Sequence, residues 1–340
     1  MRRLAVGIVF SALFAVSIAA AQFIPTPEPG PYPPDVQKHV DAAKAAADGD
    51  LGGLYTPVCN TALALVKPPA PRQGGAGAGR RGGGPPADPP RDAWHADPVK
   101  VFDNLYFVGM TEYSSWAITT SKGIILLDAI FDYSIQDEVE DGLKKLGLNP
   151  ADIKYVIVSH AHLDHAGGAK YLQDKYGARL VMSAADYDLL DHDNPRWKPK
   201  RDMVATDGMK LTLGDETVTL YITPGHTEGT ISTIFPVRDG RQRHIVATWG
   251  GTLFNFGPNR PRLDAYHMSA ERFRDIAAKA GADVILSNHT EYDGSKMKLP
   301  AMMVRKAGDP HPYVVGRDGV KRYLTVVNEC AQAALSGIGG

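Results

Sequence analysis

The stretch SHAHLDHAGG, which begins at Ser159, constrains this chain more than any other part of it. The residues before it, YVIV, are typical of a buried strand, and the residues after it, AGGAKYLQDKY, are typical of a helix. HAHLDH therefore lies on a loop between the two. His160 and His162 project to the same side of an extended backbone, whereas Asp164 and His165 come as the chain turns into the helix. One short loop can thus supply ligands to two neighbouring metal ions.

Two further histidines occupy the same kind of position. His226 follows the strand-like run TLYITPG, and His289 follows DVILSN. The carboxyl ends of strands in an α/β sheet gather at one edge, where ligands bind. We therefore expect six side chains to converge: His160, His162, Asp164, His165, His226 and His289.

Imidazole and carboxylate ligands suit zinc, and three protein ligands per ion leave a position for water. The six side chains therefore predict two Zn²⁺ ions per chain. The alternatives are core histidines or a closed structural site, but a closed zinc site would prefer four cysteines and the chain has 2. The remaining histidines stand singly, and for them we expect local hydrogen bonds: His39, His95, His192, His244, His267 and His311.

From about residue 98 the sequence alternates strand-like and helix-like segments. Two hairpins are predicted among them, in MKLTLGDETVTLYITPGH and in ISTIFPVRDGRQRHIVATWG, where RDGR is the turn. SAERFRDIAAKAG predicts a helix that Ser269 caps at its N-terminus. This pattern favours a layered α/β domain with helices outside a buried pair of sheets.

The N-terminus has a different character. Arg2 and Arg3 precede LAVGIVFSALFAVSIAAA, an uncharged run that ends in small residues. This pattern predicts a secretory signal peptide cut after Ala21, although an uncleaved membrane anchor is the alternative. We therefore expect a signal peptide at 1–21, an extension with a Pro/Gly-rich linker at 22–97, and one folded domain at 98–340. The mature protein would be periplasmic or secreted, with no stable insertion in the membrane.

Composition narrows the choice of partners. The net charge is -1, so phosphate-driven binding to nucleic acid gets little support, and we expect a small-molecule substrate. The sequence leaves the oligomeric state open.

Cys59 and Cys330 lie near opposite ends of the mature chain, and an exported protein meets oxidising conditions. They either form a disulfide or remain as two buried thiols.

HAHLDH, with PGHTEG and SNH further along, resembles the metallo-β-lactamase superfamily from about residue 99 to the end of the chain. The resemblance implies a four-layer αββα sandwich of mixed α/β (α+β) class, with two zinc ions at one edge. It also implies a distribution of the ligands between the two ions. The first zinc ion would be held by His160, His162 and His226, and the second by Asp164, His165 and His289.

Many superfamily hydrolases carry a bridging aspartate where this chain has Gly251, and its absence resembles subclass B3 of the metallo-β-lactamases. The resemblance implies that a hydroxide shared by the two zinc ions opens the β-lactam ring, and that Asp164 helps to orient it. VVNECAQAAL resembles the C-terminal helix of that subclass, whose usual cysteine partner is replaced by Ala282. Cys330 would then need Cys59.

Subclass B3 enzymes usually hold the substrate carboxylate with two serines, and the matching positions here are Thr252 and Phe254. Thr252, Phe254 and Trp116 are the predicted substrate contacts, with core or surface packing as the alternative for the two aromatic residues. Asp128 is either a partner that orients a ligand histidine or a simple turn aspartate.

Three other functions remain open. The same pair of ions could hydrolyse lactones or other esters, or the protein could carry zinc without turnover. A two-iron oxidoreductase is a more distant alternative, because those relatives usually have glutamate at the position of His162.

Overall fold

The structure, a computed structural model, describes residues 26–27, 30–67 and 88–338. The predicted signal peptide and most of the predicted linker lie outside the described residues. None of the helices within the described ranges combines the length and the apolar character needed to cross a lipid bilayer. The described helices are α1 (Pro34–Ala47), α2 (Gly52–Val66), α3 (Asp141–Lys145), α4 (Leu163–Ala166), α5 (Ala169–Tyr176), α6 (Ala184–Asp193), α7 (Arg260–Ala280), α8 (Ser295–Val304) and α9 (Gly316–Gly337).

The described strands form two sheets. The first sheet follows chain order and is antiparallel up to its fourth strand and parallel from there on. Its strands are β1 (Val99–Phe102), β2 (Leu105–Phe107), β3 (Trp116–Thr120), β4 (Gly123–Leu127), β5 (Ile153–Ile157), β6 (Arg179–Ser183) and β7 (Met203–Ala205).

The second sheet has the spatial order β12-β11-β10-β9-β8, and only β11 and β12 run parallel. Its strands are β8 (Lys210–Leu213), β9 (Glu216–Ile222), β10 (Ile231–Asp239), β11 (Gln242–Trp249) and β12 (Val284–Ser287). Both predicted hairpins are confirmed: β8 pairs with β9, and β10 pairs with β11 around a turn in which Asp239 faces Gln242.

The two sheets pack face to face. One apolar cluster joins side chains from both, such as Phe107 and Ile125 of the first sheet with Phe235 and Val246 of the second. A second cluster joins the outer face of the first sheet to α5 and α6, and a third joins the outer face of the second sheet to α7 and α9. The layers are therefore helix, sheet, sheet and helix, and the predicted αββα sandwich is confirmed.

The N-terminal helices pack onto the outer helical layer. Leu54 and Val58 of α2 lie in the same apolar cluster as Tyr323 and Val327 of α9. Cys59 and Cys330 are paired in the structure, with their Cα atoms 4.9 Å apart. The division at 97/98 stays a prediction, but part of the extension shares a core with the domain.

The sequence prediction was wrong at one helix start and incomplete at another helix. Helix α7 begins at Arg260, where the Asn259 side chain accepts the backbone N–H of Arg262. Ser269 is therefore no cap; it lies inside the helix and donates to the carbonyl of Pro224. Helix α2 was not predicted at all.

Candidate metal centre

The HAHLDH loop leaves strand β5 at the edge where the two sheets present their strand ends. His162 is the last extended residue, with φ -78° and ψ 153°, and α4 begins at the next position. Asp164 and His165 therefore lie in the first turn of a helix, whereas His160 and His162 lie on the loop before it. This geometry sends the two pairs of side chains in different directions, as the spacing predicts.

The first cluster contains His160, His162 and His226. Nε2 of His226 lies 3.1 Å from Nε2 of His160 and 3.2 Å from Nδ1 of His162. His160 and His226 are buried, at 1% and 6% exposure. Three ring nitrogens, from loops that follow strands of different sheets, thus converge on one point.

Backbone carbonyls fix which nitrogen of each buried ring faces inward. Nδ1 of His160 donates to the carbonyl of Gly250 at 2.9 Å, and Nδ1 of His226 donates to the carbonyl of Leu253 at 2.6 Å. A carbonyl can only accept, so Nδ1 carries the hydrogen in both rings. The inward Nε2 atoms therefore present lone pairs to each other.

The second cluster contains Asp164, His165 and His289, and its ligand atoms lie within 4.8 Å of one another. Oδ2 of Asp164 is 3.1 Å from Nε2 of His165 and 3.7 Å from Nε2 of His289. The rings of His160 and His165 are 4.3 Å apart between centroids, so the two clusters are neighbours.

Asp128 lies directly behind the second cluster. One of its oxygens is 3.1 Å from Nδ1 of His165, and its carboxylate also accepts hydrogen bonds from the backbone N–H and the hydroxyl of Ser159. Its backbone has φ +60°, so it also forms a sharp bend at the end of β4. This position favours the orienting role over that of a simple turn aspartate.

Burial and neighbouring charges favour neutral histidines in the first cluster and a charged pair, Asp164 and His165, in the second. Burial lowers the pKa of His160 and of His226 well below the usual value, and the neighbouring imidazoles act in the same direction. Burial opposes the charged form of His165, but Asp164 and Asp128 on either side raise its pKa to about 10. Burial would raise the pKa of Asp164, but His165 holds it well below its usual value.

The donor set fits zinc. Tetrahedral coordination with Zn–N bonds of about 2.0–2.1 Å separates ligand nitrogens by about 3.3 Å. The facing lone pairs of His160 and His226 repel each other unless a cation lies between them. His165 is fully buried, and neither of its ring nitrogens makes a hydrogen bond of normal geometry within the described residues. A divalent cation at each cluster would bind the inward Nε2 atoms of these rings and leave Nδ1 of His165 facing Asp128.

Gly251 has no room for a side chain. A Cβ atom there would lie 2.5 Å from Cβ and 2.8 Å from Cγ of His226. A bridging carboxylate at this position would therefore require the His226 loop to move. The packing of the His226 loop therefore excludes a carboxylate at position 251.

The three predicted substrate contacts are all buried. Trp116 is 2% exposed and packs edge-on against Phe107 and Tyr313 between the sheets. Thr252 is 2% exposed and Phe254 is 3% exposed, with the Phe254 ring against Tyr266. Their role as substrate contacts stays a prediction, and the burial of Trp116 and Phe254 favours the packing alternative for these two residues.

Asp186, in the first turn of α6, is a buried carboxylate at the same edge, and the sequence motifs do not mark it. It is 1% exposed and accepts hydrogen bonds from both the HAHLDH loop and the loop that carries His226. The strand-end rule could have found it, because Asp186 follows β6 as the HAHLDH loop follows β5. Each of the remaining histidines makes a local hydrogen bond, as predicted: His39, His95, His192, His244, His267 and His311.

Sequence and structure comparisons agree with this geometry. A sequence profile of the metallo-β-lactamase superfamily matches residues 108–241. BJP-1, a subclass B3 metallo-β-lactamase of Bradyrhizobium japonicum, is 29% identical with a TM-score of 0.59, covering 69% of this chain and 91% of that one. A mutant form of the HARLDQ-motif metallo-β-lactamase from Cronobacter sakazakii is 30% identical with a TM-score of 0.57, covering 68% of this chain and 93% of the other.

Among curated relatives, a hydroxyacylglutathione hydrolase of Acidiphilium cryptum is 33% identical over 108 residues, which is 32% of this chain and 38% of that protein. The N-acyl homoserine lactonase AttM of Agrobacterium fabrum is 33% identical over 103 residues, 26% of this chain and 38% of that protein. The chain thus spans well under two thirds of the length of these two relatives. It belongs to the metallo-β-lactamase superfamily of hydrolases.

Proposed function

We propose that this protein is an exported dinuclear zinc hydrolase that opens β-lactam rings. The observation that carries the proposal is the Asp164–His165–His289 cluster, together with a Gly251 that packs against His226 and leaves no space for a bridging carboxylate. This ligand arrangement resembles subclass B3, and the similarity to BJP-1 along 91% of that chain supports the same choice.

The six ligand residues would form two separate metal sites. His160, His162 and His226 would hold one ion, and Asp164, His165 and His289 the other. A bound pair of ions would supply Lewis acidity to the substrate carbonyl and lower the pKa of a water molecule. Asp164 is the only carboxylate among these six residues, so it is the side chain that can accept a hydrogen bond from the attacking water and orient it. Asp128 would keep the His165 ring in place.

A second substrate class has specific support. Curated relatives include hydroxyacylglutathione hydrolases and an N-acyl homoserine lactonase. Thr252 and Phe254, which stand where serines would hold the carboxylate of a β-lactam, are buried. A zinc hydrolase of lactones or other esters is therefore the alternative, and a zinc-carrying protein without turnover is the further one.

The test is hydrolysis by purified, zinc-loaded protein of nitrocefin, of N-acyl homoserine lactones and of an acyl-glutathione thioester. Nitrocefin turnover that a chelator abolishes and zinc restores is the expected result. Turnover of the lactone or thioester without nitrocefin would replace the β-lactam assignment by the ester one, and no turnover at all would leave a zinc carrier. His192→Ala is the matched control for ligand variants, because its side chain is 86% exposed on α6.

Export rests on the predicted signal peptide and on the pairing of Cys59 with Cys330. N-terminal sequencing of protein recovered from the periplasm should begin after Ala21. An uncut N-terminus in the membrane fraction would instead support the anchor.

A further inference from the structure

Asp186 links two separate loops through its buried carboxylate. Its Oδ2 accepts the backbone N–H of Ala161 at 3.0 Å and the hydroxyl of Thr227 at 3.0 Å. Its Oδ1 accepts the backbone N–H of Gly229 at 3.2 Å. One side chain therefore makes three hydrogen bonds, with donors from two different loops.

Each of these loops carries ligands of the first cluster. Ala161 stands between His160 and His162, on the loop that leaves β5 of the first sheet. Thr227 follows His226, on the loop that leaves β9 of the second sheet. The first cluster is thus assembled across the interface of two sheets, and Asp186 bonds the two halves to each other.

The His226 loop approaches Asp186 so closely that position 229 has no room for a side chain. A Cβ atom at Gly229 would lie 1.9 Å from Oγ of Ser183 and 2.7 Å from Oδ1 of Asp186. Oγ of Ser183 also accepts the backbone N–H of Asp186 and so fixes the start of α6. The carboxylate is therefore held from its own helix as well as by the loops it joins.

The second cluster depends less on this link, because Asp164 and His165 follow Ala161 on the same loop but lie in the first turn of α4. His165 is backed by Asp128, and Asp186 makes no hydrogen bond to the residues around His289 within the described chain. A defect at Asp186 should consequently fall mainly on the first cluster, since both loops that Asp186 joins carry ligands of that cluster.

We propose that Asp186 is a positioning residue that sets the register of the two ligand loops, and that losing its carboxylate weakens metal binding at the first cluster selectively. The inference rests on the proposed zinc function. Its test needs no substrate, because the readout is the zinc affinity of each cluster.

The experiment uses Asp186→Asn, which keeps the size of the side chain but turns one acceptor into a donor that faces other donors. Each cluster is isolated by a ligand variant: D164A leaves only the first cluster and H226A leaves only the second. Competition with a chromophoric chelator should give D186N/D164A a zinc affinity about 10- to 100-fold below that of D164A, as for other partners behind metal ligands. D186N/H226A should lose far less zinc affinity relative to H226A.

Asp283→Asn is the matched control. Asp283 likewise accepts a backbone N–H, from Ile245, and a ring N–H, from His244, but it stands just before β12, at the end opposite His289. Its loss should change neither zinc affinity. If D186N does not fold, Thr227→Val removes a single donor to the same carboxylate and should produce a smaller loss in the same direction.

Equal affinities of D186N/D164A and D164A would overturn the inference, and so would an equal loss at both clusters, which indicates a general effect on the fold. If D186N does not fold, an unchanged affinity of T227V/D164A overturns it instead. Wild-type protein that binds no zinc would overturn the proposed function and this inference together. Normal zinc binding by wild-type protein with an unaffected D186N would overturn the inference alone.

Discussion

The two clusters of candidate metal ligands lie side by side but are held in different ways. In the first, the outer ring nitrogens of the buried histidines donate to the backbone carbonyls of Gly250 and Leu253. In the second, His165 lies between two carboxylates, Asp128 and Asp164, each 3.1 Å from one ring nitrogen. One cluster is positioned by the backbone, and the other is positioned by charge.

Metal binding at the two clusters should therefore depend on different properties of the fold. Neutral imidazoles need only converge, so the affinity of the first cluster depends on the register of its loops. The second cluster holds opposite charges in a buried environment, where removing one partner leaves an uncompensated charge. We therefore expect variants to separate the clusters cleanly.

The largest effect should follow the loss of a ligand. His226→Ala should hold one zinc ion at the second cluster, and Asp164→Ala should hold one at the first, as measured by metal analysis after dialysis. Because the paired ions act together, each variant should lose at least about 100-fold in kcat/KM. H192A should keep both ions and full activity. A variant that keeps both ions would show that the clusters are assigned wrongly.

Asp128→Asn should have the next largest effect. The amide can no longer balance the charge of His165 while it accepts both hydrogen bonds of Ser159. Zinc affinity at the second cluster, isolated by H226A, should fall about 10- to 100-fold, and that of the first cluster, isolated by D164A, should change far less. An equal loss at both would mean that Asp128 supports the whole edge of the sheet.

The number of protons released on zinc binding should differ between the two clusters. In protein stripped of metal, His165 has a pKa of about 10 and is protonated at pH 7.5, whereas His160 and His226 have lowered pKa values and are neutral. A ligand nitrogen must lose its proton to bind metal. Calorimetry in buffers of different ionisation enthalpy should therefore find about one proton more released per zinc in H226A than in D164A. Equal release from both variants would contradict the charge difference.

The smallest effect on the metal centre should come from Cys59→Ser. Loss of the link to Cys330 should reduce the free energy of unfolding by about 2–5 kcal/mol, measured by denaturant titration. Any change in zinc affinity should fall on the second cluster, since Gly53 of α2 packs close to the carbonyl of Glu291, two residues after His289. A lowered affinity at the first cluster alone would contradict this account, and unchanged stability would contradict the disulfide.

Local sequence rules correctly placed the candidate ligands that follow strand ends. The positions of His226 and His289 after strand-like runs were enough to place them beside HAHLDH. The rules failed for α2, whose Gly52, Gly53 and Pro57 disfavour a helix, because packing against α9 outweighs intrinsic propensity. They also misplaced the start of α7, where Asn259 rather than Ser269 supplies the cap.

The sequence was enough to identify the six side chains that converge and the pair of sheets that brings them together. Hydrophobic periodicity and position at a strand end are local properties, and both can be read along the chain. Tertiary structure alone decided how the six side chains are held. The Gly250 and Leu253 carbonyls, Asp128 and Asp186 act through contacts between residues distant along the chain. The burial of Trp116 and Phe254 was likewise decided by packing, since a sequence records that a side chain is apolar but not which surface covers it.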